Sequence, residues 1–141
     1  MNNPFSAQPD RLSPLKIHRV ESGPLPLLPQ DAPFAVKPLC EGFREDMQGS
    51  LAIYEGKRFE VTGVAIKVGP DIHNKPSIEL SDRVGGETCA LAVFPTDAHY
   101  HAVAVGDTVT VRANYLVFRE QFGVVLKYSE LVQVEKPDDR A

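Results

Sequence analysis

Two hydrophobic periods divide the chain. Leu39, Phe43, Met47, Leu51 and Tyr54 recur at steps of four, four, four and three, which places them on one face of a helix. Glu41, Arg44, Glu45, Asp46 and Gln48 fill its other sides. Pro38 suits the first helical turn, where its missing N–H costs nothing, and Gly56 is placed to supply the left-handed residue that ends the helix. Gly42 and Gly49 each weaken it by about 1 kcal/mol relative to Ala, so the helix depends on packing against something else.

From Arg58 the period becomes two and predicts five strands. The first spans about Arg58 to Val68; Phe59 and Val61 share a face, then Val64, Ile66 and Val68 form the apolar set. The phase slips by one residue at Gly63, which predicts a bulge or bend there. The second strand, about Pro76 to Ser81, turns Ile78 and Leu80 inward. The third, near Thr88 to Phe94, is apolar on both faces and so predicts burial on both sides or cover by the helix. After Pro95 a short helix or turn leads through Val105-Gly106-Asp107 into a fourth strand, about Thr108 to Phe118. A fifth runs from about Gly123 to Val134. The charged tail, 135–141, is expected to fray.

Proline marks off the remainder. Of 12 prolines, eight fall in the first 38 residues, and each removes a backbone donor and fixes φ. Residues 1–37 are therefore expected as a proline-rich extended or disordered arm, with Leu25-Pro26-Leu27-Leu28 able to dock on a surface. The domain proper is expected over 38–134. No stretch has the roughly 18 consecutive apolar residues of a membrane span. The first fifteen residues lack a basic-then-apolar leader, from which a cytoplasmic setting is expected.

Five strands, a bend in the first and a short insert between third and fourth match an all-β, five-stranded OB-fold, a Greek-key barrel, here with an N-terminal helix and the arm. The run Leu51-Ala52-Ile53-Tyr54-Glu55-Gly56-Lys57-Arg58-Phe59-Glu60-Val61-Thr62-Gly63 resembles the tRNA-anticodon-like OB family of small bacterial proteins, in which a helix exits through Tyr-x-Gly-Lys into a strand ending Val-Thr-Gly. Cys89 to Phe94 and Val105-Gly106-Asp107 leading into Thr108-Val109-Thr110-Val111 are similar to that family's third and fourth strands. The resemblance covers about 38–134. It implies a binding fold and brings no catalytic residues with it.

An OB barrel binds through its second and third strands and two flanking loops. These are Gly69 to Lys75 and Phe118 to Gly123 here. Lys67, Ile72, His73, Lys75, Phe118, Arg119 and Phe122 are therefore the candidate binding residues. Phe118 and Phe122 suit base stacking, and Lys67, Lys75 and Arg119 suit a phosphate backbone. Charge argues the other way. The chain carries 15 Lys+Arg against 19 Asp+Glu, a net of −4, whereas single-strand binders present a positive groove. The reading from sequence is thus a non-enzymatic module for a protein partner, through Ile72, Phe118, Phe122 and the arm leucines, or through an oligomer. Single-stranded nucleic acid is the alternative.

Other chemistry is weakly encoded. His99-Tyr100-His101 brings two imidazoles together only if extended, and no ligand-spaced Cys or carboxylate accompanies them, so no metal is expected. Cys89 reads as an inert buried thiol. Cys40 is placed near a helix start but has no base beside it in sequence. Phosphate-cradling glycine loops and hydrolase elbows are missing, and no cofactor or catalytic residue is expected.

Overall fold

A computed structural model describes residues 25–96, 100–119 and 123–137. The elements in chain order are β1 (Phe34–Ala35), α1 (Val36–Glu45), α2 (Met47–Tyr54), β2 (Phe59–Pro70), β3 (Pro76–Ser81), β4 (Ala90–Val93), a 3-10 turn (Tyr100–Ala102), β5 (Thr108–Ala113), β6 (Tyr115–Arg119), β7 (Gly123–Lys127) and β8 (Glu130–Glu135). The fold is mostly β with two short helices. Its eight strands form one sheet in the order β6-β7-β4-β3-β2-β5-β8, with β1 parallel on β2 off that path.

The expected five strands thus become seven hydrogen-bonded segments, β2 to β8, with β1 added from the arm, and the path ends at β6 and β8 instead of closing on itself. The predicted fourth strand is interrupted at Asn114, the predicted fifth at Tyr128–Ser129. Asn114 Nδ2 donates to the Tyr128 carbonyl at 2.7 Å, so the two interruptions hold each other. Tyr128 sits at φ 53°, a left-handed conformation that ends extended pairing.

The bend also lies elsewhere than predicted. Phe59, Val61, Gly63 and Ala65 alternate inward without a slip, and the register shifts between Ala65 and Lys67, which makes Ile66 the extra residue. Gly63 serves a different purpose. A Cβ there would stand 2.9 Å from Val36 Cγ1 and 3.1 Å from the Ser81 carbonyl, so its bareness lets α1 and β3 approach β2.

One continuous helix was expected, yet the structure has two. The backbone leaves helical geometry at Asp46 (φ −152°), whose carboxylate accepts the Gly49 N–H at 3.0 Å and so caps α2. A Cβ on residue 49 would collide with that carboxylate, which accounts for the glycine. The break rotates the stripe. Leu39 and Phe43 are buried, Leu51 and Tyr54 half-buried, and Met47 is exposed.

The core joins inward residues of β2, β3, β5 and β7 with Ala90 and Ala92 of β4, and α1 covers it through Val36, Leu39, Cys40 and Phe43. Ile78 and Leu80 are fully buried, as their alternation predicts. Burial of each contributes about 1.5–3 kcal/mol. Phe43 lies parallel to Tyr54 and to Phe118, at ring-centroid distances of 5.7 and 5.6 Å.

Of the arm, residues 1–24 lie outside the described set. Residues 25–35 lie beside the start of β2, Leu27 bridging Arg58 and β1 pairing with Val61 and Thr62, with a bend at Asp31–Ala32 between the two contacts. Arg58 N–H donates to the Pro26 carbonyl (2.8 Å), and Leu28 N–H to the Arg58 carbonyl (2.7 Å). Pro29 can donate nothing, and the Gln30 side chain continues the pairing with both backbone groups of Glu60. The tail is likewise anchored as far as Lys136, whose ammonium lies 2.7 Å from the buried Asp107 carboxylate.

Candidate functional site

The outer face of β3, β4, β7 and β6 forms the floor of a groove of about 690 Å³. Register explains its lining. Lys67, Glu79, Leu91, Val125 and Val117 pair in succession across five strands, so their side chains form one row on one face. Gly69, Ser77 and Val93 form the adjacent row, and Lys127 faces Tyr115 beyond it. The middle of the floor is therefore aliphatic, with polar groups at both sides.

The turn after β2 rises over one end. Asp71 Oδ1 accepts the N–H groups of His73 and Lys75, both at 2.8 Å, and Asn74 takes φ 62° to complete the turn. This fixes the backbone beneath His73 and Lys75 at the groove's mouth and leaves Ile72, 83% exposed, at the tip. At the other end Ser129 N–H bonds the Val93 carbonyl at 2.9 Å. That contact and the Asn114 bond hold Tyr128 in its left-handed conformation, which costs of order 1 kcal/mol or more. Its exposed ring stands at the groove's edge, 6.5 Å from that of Tyr115.

Five of the seven predicted binding residues, Lys67, Ile72, His73, Lys75 and Arg119, line this groove. Phe118 does not. On β6 it alternates away from Val117 and Arg119, and its ring stacks on Phe43 beneath α1. Phe122 lies outside the described residues. Sequence reasoning missed Lys127, Tyr128 and Glu79, which line the groove as well. The signal for the first two was the cation-aromatic pair Lys127-Tyr128 directly after the apolar run Val124-Val125-Leu126.

Local charge reverses the average. The groove's lining holds Lys67, Lys75, Arg119 and Lys127 against Asp71 and Glu79, a surplus of two positive charges (4 − 2), in a chain whose net is −4. Lys67 Nζ lies 3.8 Å from Glu79 Oε2, and Thr88 Oγ1 donates to Glu79 Oε1 at 2.7 Å.

The remaining candidates separate from this face. Cys40 is the fifth residue of α1 rather than its start, and it is buried. Burial, then the neighbouring Cys40 and Asp82, push the Cys89 thiol up, away from nucleophilic chemistry. His99 lies outside the described residues, and His101 is exposed. No group of three or more His, Cys, Asp or Glu among the described residues is placed to hold a metal. No described helix is long and apolar enough to cross a membrane.

Fold and groove together define a small β-rich domain with a locally basic groove on one face. The tRNA_anti-like family model matches residues 28–129, and the chain belongs to that family. A solved structure from Klebsiella pneumoniae subsp. pneumoniae MGH 78578, of a protein proposed to be a nucleic acid-binding lipoprotein, is similar at TM-score 0.57 and 16% identity, over 74% of this chain and 99% of that one. At that identity the likeness speaks to the fold. No curated protein matches.

Proposed function

We propose that this protein binds single-stranded nucleic acid, DNA or RNA, along the groove, as a binding module with no catalytic step. The observation that carries the reading is the surplus of positive charge gathered on one face of an acidic chain, with an exposed tyrosine at its edge. Such a pairing of backbone-tracking cations with a stacking ring suits a flexible strand. Lys67, Lys75, Arg119 and Lys127 take phosphates, Tyr128 stacks a base, and the aliphatic floor receives base edges. Family membership and the Klebsiella neighbour agree with this reading.

The seven segments β2 to β8 read as a five-stranded OB barrel, with β5 and β6 one bent strand and β7 and β8 another. The parallel ladder of β4 with β7 and the antiparallel ladder of β2 with β5 support this. The protein partner expected from average charge loses two contact points, because Phe118 stacks on Phe43 and Leu28 packs against the core.

Fluorescence anisotropy with a labelled mixed-sequence single strand tests the proposal. Four phosphate contacts predict a log–log salt slope near −3, from about −0.7 per neutralised phosphate. The double variant R119E/K127E abolishes most of the binding. Absent binding, a flat salt response or an unaffected double variant contradicts the reading.

A further inference from the structure

Resting on that reading, we infer that Glu79 makes the groove selective for guanine. A carboxylate in a phosphate-binding groove is electrostatically misplaced, since it repels the backbone that the surrounding cations attract. Yet Glu79 sits in the floor, between Lys67 and Leu91 in the cross-strand row, with its side chain 24% exposed. Its position is fixed on two sides. Thr88 Oγ1 holds Oε1 at 2.7 Å, and the Lys67 ammonium stands 3.8 Å from Oε2. An ionised carboxylate has about four lone-pair sites, so both oxygens keep acceptor capacity after these contacts.

The groove thus offers an oriented pair of acceptors beside an aliphatic strip made by Leu91 and Val125. A base lying on the strip presents its Watson–Crick edge to that pair, as single-stranded recognition commonly requires. The four bases differ in what they bring. Guanine has two adjacent donors, N1–H and the N2 amino group, which match a carboxylate bidentately. Adenine and cytosine each have one amino donor beside a ring-nitrogen acceptor. Uracil and thymine flank their single N3–H with two carbonyl oxygens, which the carboxylate repels. Guanine is the base this surface accepts best, and uracil or thymine the worst.

A good bidentate contact discriminates by about tenfold or more. The experiment compares three labelled oligouridylates by anisotropy: one with a single central guanosine, one with inosine there, which lacks only the N2 amino group, and one without substitution. The wild-type protein is expected to bind the guanosine strand about tenfold more tightly than the inosine strand, and the plain strand no better than the latter. In E79Q, checked for folding by circular dichroism, the guanosine-to-inosine ratio falls to near one, while affinity for the plain strand rises as the repelling charge is removed. Equal wild-type affinity for guanosine and inosine strands, or an unchanged ratio in E79Q, overturns the inference and leaves the nucleic-acid reading standing. Failure to bind any of these strands or a mixed-sequence strand overturns both.

Discussion

Phe43 is the residue on which the helix pair's attachment to the sheet most depends, and Phe43→Ala measures that dependence. Its side chain is 1% exposed, and its ring stacks with those of Tyr54 (interplanar angle 28°) and Phe118 (11°). Truncating a buried phenylalanine costs about 3–5 kcal/mol in transfer and cavity terms. Stacked pairs contribute about 0.5–1.5 kcal/mol each beyond buried area, and this change removes two at once, which points to the upper part of that range. Against a total stability of about 5–15 kcal/mol, such a loss shifts the urea midpoint strongly. The assay is equilibrium urea unfolding followed by circular dichroism, with an unchanged slope as the check that only stability moved. Phe43→Leu, which keeps most of the volume, should cost under about 1.5 kcal/mol. In a double-mutant cycle, F43A and F118A should couple by about 1 kcal/mol. A loss below about 1 kcal/mol for F43A, or strict additivity with F118A, would refute the packing argument.

Two further outcomes follow from neighbouring features. F118A, at a half-buried ring, destabilises by about 1.5–3 kcal/mol but leaves single-strand affinity of the folded protein unchanged, because its ring faces α1 and not the groove; anisotropy at low temperature checks this. Burial alone would raise the Asp107 carboxyl, but the Lys136 ammonium and the Ala104 N–H outweigh that and hold it below the ordinary carboxylate range. A depressed folded-state pKa stabilises above the unfolded value, about 4, and that stabilisation is lost as pH falls through the folded value. The stability gap between wild type and D107N, about 1–2 kcal/mol since Lys136 is well exposed, should hold at pH 7 and shrink in urea titrations near pH 3.

Alternation carried much of this fold, because period-two burial is a local property: Phe59, Val61, Ile78, Leu80, Val109 and Val111 could be assigned inward without knowing their neighbours. The left-handed Gly56 after the helices was readable for the same reason. Features set by distant partners were not. Gly63 looked like a bend because only the fold brings Val36 and Ser81 against it. The helix break at Asp46 competes evenly with continuation until Gly49 is seen to leave room for the cap. At the groove, Lys67, Lys75 and Arg119 were visible from strand order and loop position. Lys127, Tyr128 and Glu79 join them only through cross-strand register, and averaging charge along the chain hid the basic face that register creates. That Phe118 packs on Phe43 and not in the groove is hidden from the sequence, because a strand end gives no sign of which face a covering helix will occupy.

Titrating isotopically labelled protein with a mixed-sequence single strand while recording amide chemical shifts tests the central claim most directly. Binding along the groove should give salt-sensitive shifts concentrated at Lys67, Leu91, Val93, Val125, Lys127 and Tyr128, with β8 and α2 unmoved. Shifts confined to α2, β8 or the Leu27 edge, or none at all, would contradict it.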